Sequence, residues 1–599
     1  MKNIIRSFKL LYTTSSFLMI LLGIFTALPI FLSPLFSLID KALFDTLQQA
    51  HGDTIATKKI IFIVFLYFGY NLCVFTLFKI KDFIITYTQT TVGAFLQKKA
   101  INRISKIEYN RFDENEFYNY ITTVQNEIGG GNLLGLYINI ITLISVIVTT
   151  IYLSYLLFRL SAWAVLLSLL CCIPGFIHQA SFGKKNWEFN TLKIPHKRKM
   201  EYFFSLLTSI GSYKENRIYN TIPFYKKKYN ALFGDYYKEL RSFNARNCWK
   251  GILMATLHSI GSVSVIAYAY YQATTGKISL GDAILFVGVC QSIYNNVQNS
   301  IYMLGSINES YHSVSNILSL LLIQNMEHKK KINSLNIINC EDGNRCTEIE
   351  LTDIVYEYPG VGKRVLNGVN LKIGNGEKLA IVGENGSGKT TLAKIILGLY
   401  RPQQGSIKVN GYDISTLPDN YRYCTACFQD YCTYSLSVRE NVALGNVIKL
   451  SSDEDILNAI DMSRLERLAF ENNLDRQITK QFDTDGIVLS GGQSQKLSLA
   501  RAFMLKYGLI VLDEPSASLD ATTENEIFDT LLKLMHGRTS IVITHRLANV
   551  VHCDRIIYLD SGIICEEGTH QELMKKNGKY AELFSIQARK YILQADNNE

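Results

Sequence analysis

Eight consecutive residues, Gly383, Glu384, Asn385, Gly386, Ser387, Gly388, Lys389 and Thr390, set three glycines, a lysine and a hydroxyl in the spacing of a phosphate-binding loop. Glycines there let backbone NH groups turn inward around phosphate oxygens, and the positive end of a following helix adds to the attraction. Lys389 would reach the β and γ phosphates of ATP, the Thr390 hydroxyl would ligate magnesium, and Thr391 completes the expected ATP-binding set. Further on, LIVLDEP (Leu509 to Pro515) reads as a buried strand that ends in two acids. Asp513 would help hold magnesium, and Glu514 has the chemistry to accept a proton from, or orient, a water attacking the γ phosphate. An acid pair at a strand end could instead cap the next helix, but the phosphate loop upstream argues for the catalytic reading.

These residues need a scaffold, and the local pattern supplies one. The apolar run KLAIVG precedes the glycine loop and the helical pattern TTLAKIILGL follows it, a strand-loop-helix unit. IELTDIVYEYP, starting near Glu348, alternates as a strand should. Ahead of it lies the polar stretch MEHKKKINSLNIINCEDGNR, which reads as a boundary. The expected division is a first domain over 1–323, a linker over 324–347, an α/β nucleotide-binding domain over 348–590 and a tail over 591–599.

The first half has a different solvent. At 599 residues the chain exceeds one compact core, and its 48% hydrophobic content averages a lipid-facing part with an ordinary soluble one. From Phe17, FLMILLGIFTALPIFLSPLF supplies the roughly 20 apolar residues that a bilayer core requires. It is longer than a signal-peptide core and lacks a clear cleavage site, so a retained helix is expected. Further runs at about Ile60 to Ile85, Leu136 to Phe158, Ala162 to Ile177, Gly251 to Tyr271 and Leu280 to Leu304 make six expected spans. Two long polar segments, after spans two and four, carry basic residues that include Lys98, Arg103, Lys185 and Lys226 to Lys228. Both termini are therefore expected on the cytoplasmic side of a multi-pass membrane protein. The net charge of +9 follows helix ends rather than forming a groove, which argues against a nucleic-acid partner. In the sixth run Gln291, Tyr294, Asn295 and Gln298 crowd together, and the reading is a hydrated cavity for cargo, with interhelical hydrogen bonding as the alternative. Cys424 and Cys427 form a CxxC without the second pair that a structural zinc site usually wants, so no metal is assigned to them.

Leu489-Ser490-Gly491-Gly492-Gln493, lying between the glycine loop and the acidic strand, resembles the ABC signature. The chain is similar to ABC exporter half-transporters: an all-α six-helix membrane domain followed by an α/β P-loop ABC ATPase domain. The resemblance implies that Ser490, Gly491, Gly492 and Gln493 contact ATP bound to the opposite subunit, so that a second identical subunit is needed. It also implies that Tyr358 stacks on adenine, with Tyr356 the alternative ring, and that Gln429 links the magnesium site to the membrane domain. In the same way it makes Ser518 to Asp520 the D-loop and His545 the switch histidine that contacts the γ phosphate. RFDENEFYNYI (Arg111 to Ile121) and SYKENRIYN (Ser212 to Asn220) sit where coupling helices would be. FQDYCTYSLSVRENVALG, DGIVLSGGQSQKLSLARAF and DEPSASLDATTENEIFD look like the nisin-type lanthipeptide exporters of bacteria. Those proteins move a modified precursor peptide outward and lack a leader-cleaving domain, for which the short stretch before the first span also leaves no room. The expected function is ATP-driven peptide export across the cytoplasmic membrane, with peptide-modifying enzymes as partners. Lipids or hydrophobic drugs are the alternative cargo, and uptake of metal chelates is a less favoured direction.

Overall fold

The computed structural model describes residues 2–49, 54–129, 131–160, 162–323, 347–360, 362–416, 423–466, 473–504, 508–514 and 527–596 apart from 529, 533, 534 and 536. The chain forms two compact units, one of Met1–Ser105 with Ile121–Ile323, the other of Lys106–Tyr120 with Gln324–Glu599.

In the first unit, helices α1 (Lys2–Gln49) and α2 (Thr54–Ile104) are followed by α3 (Asn115–Gly129), which belongs to this unit from Ile121 on, α4 (Asn132–Leu160) and α5 (Ala162–Leu192). Two short helices, α6 (Ile194–Thr208) and α7 (Ile210–Ile218), then lead to α8 (Ile222–Thr274) and α9 (Leu280–Leu322). The six apolar runs lie in α1, α2, α4, α5, α8 and α9, and each helix is longer than its run. By length and composition α1, α2, α4 and α8 can cross a membrane. α5 has 31 residues and opens on an apolar run, and α9, of 43 residues, carries more polar residues among its apolar ones. Their packing is local: α1 lies against α2, α4 and α9, while α5 pairs with α8 and α9. One apolar cluster joins Leu153 and Leu157 of α4 to Val265 and Ala269 of α8 and Phe286 and Ile293 of α9.

α7 holds most of the second expected coupling segment. It is a hydrogen-bonded corner, with Asn216 buried and its Nδ2 donating to the Leu206 carbonyl at 2.7 Å while Thr221 Oγ1 donates to Asn216 Oδ1 at 2.8 Å. The corner leaves Tyr213, Ile218 and Tyr219 exposed.

The second unit has two sheets. The four-stranded antiparallel one has the order β2 (Arg364–Ile373), β1 (Ile349–Glu357), β4 (Gln404–Val409), β5 (Tyr412–Asp413). The six-stranded one has the order β10 (Ile563–Gly568), β9 (Arg555–Asp560), β3 (Lys378–Val382), β8 (Thr539–Ile543), β7 (Leu509–Asp513), β6 (Cys424–Cys427), parallel except for β10. Its strands are near-continuous apolar runs because both faces are covered. Leu379 and Ile381 of β3 face one core with Leu509 and Val511 of β7, whereas Ala380, Val382, Ile510 and Leu512 face the other. Helix α10 (Lys389–Ile396) packs into the first core. The second core takes α11 (Val438–Ala443), α12 (Asp453–Met462) and α13 (Gly491–Phe503).

The same period-2 alternation disposes of the CxxC. Cys424 and Cys427 are three apart on a strand, so their side chains leave opposite faces, one toward each core. Burial pushes the Cys427 thiol up to about 11.

Residues 106–120, which include most of the first expected coupling segment, belong to this unit. A 3-10 turn over Tyr109–Asp113 brings Asp113 to Tyr400, whose hydroxyl donates to Asp113 Oδ2 at 2.6 Å. Arg401 pairs with Glu108 at 3.3 Å, and the Tyr109 and Tyr400 rings lie 5.7 Å apart with the Lys394 ammonium over both.

Candidate functional site

β3 delivers the chain to the glycine loop, and sterics explain the glycines. A Cβ on Gly383, at φ 156°, would stand 2.1 Å from the Leu559 carbonyl oxygen, and one on Gly388, at φ 105°, would press on Leu366 at 2.9 Å. Both positions need the left-handed freedom that only glycine has at low cost. Lys389 opens α10 yet is buried, and its Nζ donates to the carbonyls of Gly383 at 2.9 Å and Glu384 at 2.7 Å. Burial lowers its pKa, while Glu514 and Asp513 pull the other way. Ser387 Oγ is buried with no hydrogen-bond partner, the kind of orphan that a phosphate oxygen in the loop would satisfy.

Asp513 ends β7 and is 2% exposed. Burial raises its pKa, a hydrogen bond from Thr390 opposes that, and the Glu514 and Asp430 carboxylates add to the rise. The Thr390 hydroxyl and the Asp513 carboxylate are therefore together, a hard-oxygen pair that fits magnesium. Gln429 and Asp430 follow β6, which runs parallel beside β7, so both leave the sheet at the edge where Asp513 ends.

Glu514 and His545 meet because their strands do. β7 and β8 are parallel with Asp513 opposite Ile543, which puts the next residues at one edge of the sheet. His545 Nε2 lies 2.7 Å from Glu514 Oε1. Glu514 has φ 50°, uncommon for a non-glycine residue. Its NH donates to the Ile543 carbonyl at 2.8 Å, and Gln495 Nε2 donates to its carbonyl at 3.4 Å. A cavity of about 370 Å³ opens beside them, lined by Glu384, Asn385, Thr544, His545 and Gln587 among others. Sequence reading missed Gln587. It accepts from the Leu547 NH at 3.0 Å and donates to the His545 carbonyl at 2.7 Å, bracing the histidine loop from 42 residues away, a separation that carries no motif.

The signature residues have local structural work. Ser490 caps α13, accepting from the Gln493 NH at 3.2 Å, while Gln493 Oε1 accepts from the Ser490 NH at 3.0 Å, a complete capping box. The Tyr431 hydroxyl donates to the Gly491 carbonyl at 2.9 Å. Ser490→Ala should lower the unfolding free energy by about 1 kcal/mol and Ser490→Gly by only a few tenths. Chemical denaturation of the purified protein reads the difference, and equal losses would rule out the cap as the source.

Tyr356 and Tyr358 separate cleanly. Tyr356 is 1% exposed and stacked on Tyr400 with ring centroids 5.1 Å apart, so it is core. Tyr358 is half-buried with its hydroxyl 3.0 Å from Thr391 Oγ1, beside the glycine loop. Of the remaining expected residues, Ser518 to Asp520 lie outside the described residues. Gln291, Tyr294, Asn295 and Gln298 share one face of α9 by helical spacing. Gln291 donates to Asn295 at 3.4 Å, and the Gln298 side chain abuts Gly175 of α5.

Comparison with known proteins places this site in a family. The sequence profile of the ABC transporter family matches residues 366–517. The subtilin transport ATP-binding protein SpaT of Bacillus subtilis is 30% identical over 588 residues, covering 96% of this chain and 92% of that protein. The nisin transport ATP-binding protein NisT of Lactococcus lactis subsp. lactis is 27% identical, over 88% of this chain and 87% of its own length. The solved structure of a bacterial Atm1-family ABC exporter with ATP bound superposes with a TM-score of 0.74 at 18% identity, covering 94% of this chain and 97% of that one. With a helical membrane domain fused to an ATPase domain whose phosphate loop, acidic strand and signature are all in place, the chain belongs to the ABC transporters, as an exporter-type half-transporter that couples ATP hydrolysis to transport.

Proposed function

We propose that two copies of this chain form a homodimer in the cytoplasmic membrane of a bacterium, both termini cytoplasmic, and export a peptide of the subtilin and nisin kind. The observation that carries the cargo reading is the likeness to the subtilin transport protein along 96% of the chain, membrane domain included. The ATP site supports the engine. Gly383 to Thr391 hold the triphosphate, with Tyr358 placed beside the loop for the base. Thr390, Asp513 and Gln429 would hold magnesium, which when bound neutralises phosphate charge. Glu514 takes the proton of, or orients, the attacking water, and His545 at 2.7 Å fixes the carboxylate. The glycines and cap of Ser490 to Gln493 close over the ATP of the other subunit, Asp520 serves as the D-loop acid, and the polar face of α9 lines the cargo path.

The test is ATPase activity of the protein in lipid vesicles with and without a candidate precursor peptide, together with peptide uptake into inside-out vesicles. Peptide-dependent hydrolysis and uptake support the reading. Steady hydrolysis that ignores the peptide and responds to lipids or hydrophobic drugs would replace the cargo and keep the engine.

A further inference from the structure

A cavity of about 310 Å³ lies between α5 and α8, in the helical unit and apart from the ATP site. Its cations are Lys185 of α5 and Arg246 and Lys250 of α8. Ser242, Arg246 and Lys250 fall on one face by i, i+4, i+8 spacing, and Arg246 Nη2 donates to Ser242 Oγ at 3.1 Å. The stacked rings of Phe189 and Phe243, 4.9 Å apart, form an apolar wall. One carboxylate is present, Glu239, and it is engaged by Lys193 at 2.5 Å. Among the described residues none of the three cations is paired with a carboxylate. Asn247, which also lines the cavity, has a buried Nδ2 with no hydrogen-bond partner. The cavity thus holds three cations and an amide donor against one carboxylate that Lys193 already engages and one hydroxyl, and the missing partner is an anion with several oxygens.

Its depth narrows the source. Lys250 immediately precedes the apolar run that opens at Gly251, and Trp249 beside it is 73% exposed, as tryptophans at a membrane interface are. In α5 the apolar run ends near Ile177, so Lys185 stands about 12 Å past it at 1.5 Å per residue. The donors therefore lie at head-group level, at the end of the helices that carries the basic flanks, where basic pockets between membrane helices take anionic head groups.

We infer that the α5–α8 cavity is a binding site for the phosphate of an anionic phospholipid, with Lys185, Arg246, Lys250 and Asn247 as donors. The lipid joins the two helices at the membrane surface, and the Phe189 and Phe243 rings close the site on the side away from the apolar runs.

Native mass spectrometry of the delipidated full-length protein, offered equal phosphatidylglycerol and phosphatidylcholine, tests this. The wild type should retain phosphatidylglycerol preferentially, and Arg246→Gln with Lys250→Gln should cut that preference roughly 30-fold. The charge-keeping pair Arg246→Lys with Lys250→Arg should restore most of it. Lys226→Gln with Lys227→Gln, on the same helix away from the cavity, should leave it intact. Basal ATPase activity of each variant reports that the fold survives. An unchanged preference in the Arg246 and Lys250 double variant, or equal loss in the Lys226 and Lys227 control, would overturn the site. Displacement of phosphatidylglycerol by excess inorganic phosphate would reassign the cavity to a soluble phosphate and overturn the lipid.

Discussion

Protein carrying Glu514→Gln will bind ATP as the wild type does and release phosphate roughly 100- to 10,000-fold more slowly, the range that a positioned general base supplies. The substitution is nearly isosteric. It keeps an oxygen to face His545 Nε2, which now lies 2.7 Å from the carboxylate, and it keeps the backbone bond to Ile543. Lys389, Thr390 and the loop glycines are untouched. What disappears is the carboxylate that would take the proton of water, so ATP should accumulate in a closed dimer. Phosphate release at saturating ATP, with the mass of the nucleotide-loaded complex measured in parallel, checks both halves. Rapid multiple turnovers by the pure variant would remove Glu514 from the role and turn attention to Gln429 and Asp430 at the same sheet edge.

Lys389→Ala should act on the other term, binding itself. The ammonium sits buried over the loop on two carbonyls, and burial already disfavours its charge. A triphosphate replaces neutral acceptors with charged ones, and hydrogen bonds to charged groups contribute about 1.5–3 kcal/mol each. Loss of the lysine should therefore weaken ATP affinity roughly 10- to 100-fold. Equilibrium binding of ATP in the Glu514→Gln background, where turnover does not interfere, measures it. An unchanged dissociation constant would contradict the assignment. The two variants are opposite in kind, one binding without turning over and the other failing to bind, and a generally damaged fold would not separate them.

Much of this site is legible in the chain because its chemistry is local. Gly383 to Thr391 are contiguous, and their strand and helix neighbours are visible as period-2 and period-3.6 patterns. Other features depend on where a side chain points after folding. Tyr356 and Tyr358 are the same residue type two apart at the end of β1, both with rings against Tyr400, and only the full burial of the first makes it core. The CxxC spacing suits a loop that can wrap a metal, whereas on a strand it sends the two thiols to opposite faces. Gln493, set down for a nucleotide contact in trans, also closes the capping box of α13, and a linear motif does not show two uses of one side chain. Gln587 had no signal at all, since a brace placed 42 residues from its histidine follows from tertiary structure alone. The apolar runs located the membrane helices but not their length, because the polar continuations of α2 and α8 are held by packing and lack an apolar signature.

Residues 106–120 carry a practical consequence. Cutting the chain at the polar boundary near Thr347 would yield a fragment with both sheets and every motif of the ATP site, yet without Glu108, Tyr109 and Asp113. Tyr400 would lose the acceptor of its hydroxyl, and Arg401 its carboxylate. The ATPase unit is therefore discontinuous in sequence, completed by a short insert from the other half of the chain, and its faithful isolated form is a two-piece one in which a 106–120 peptide is returned to its seat.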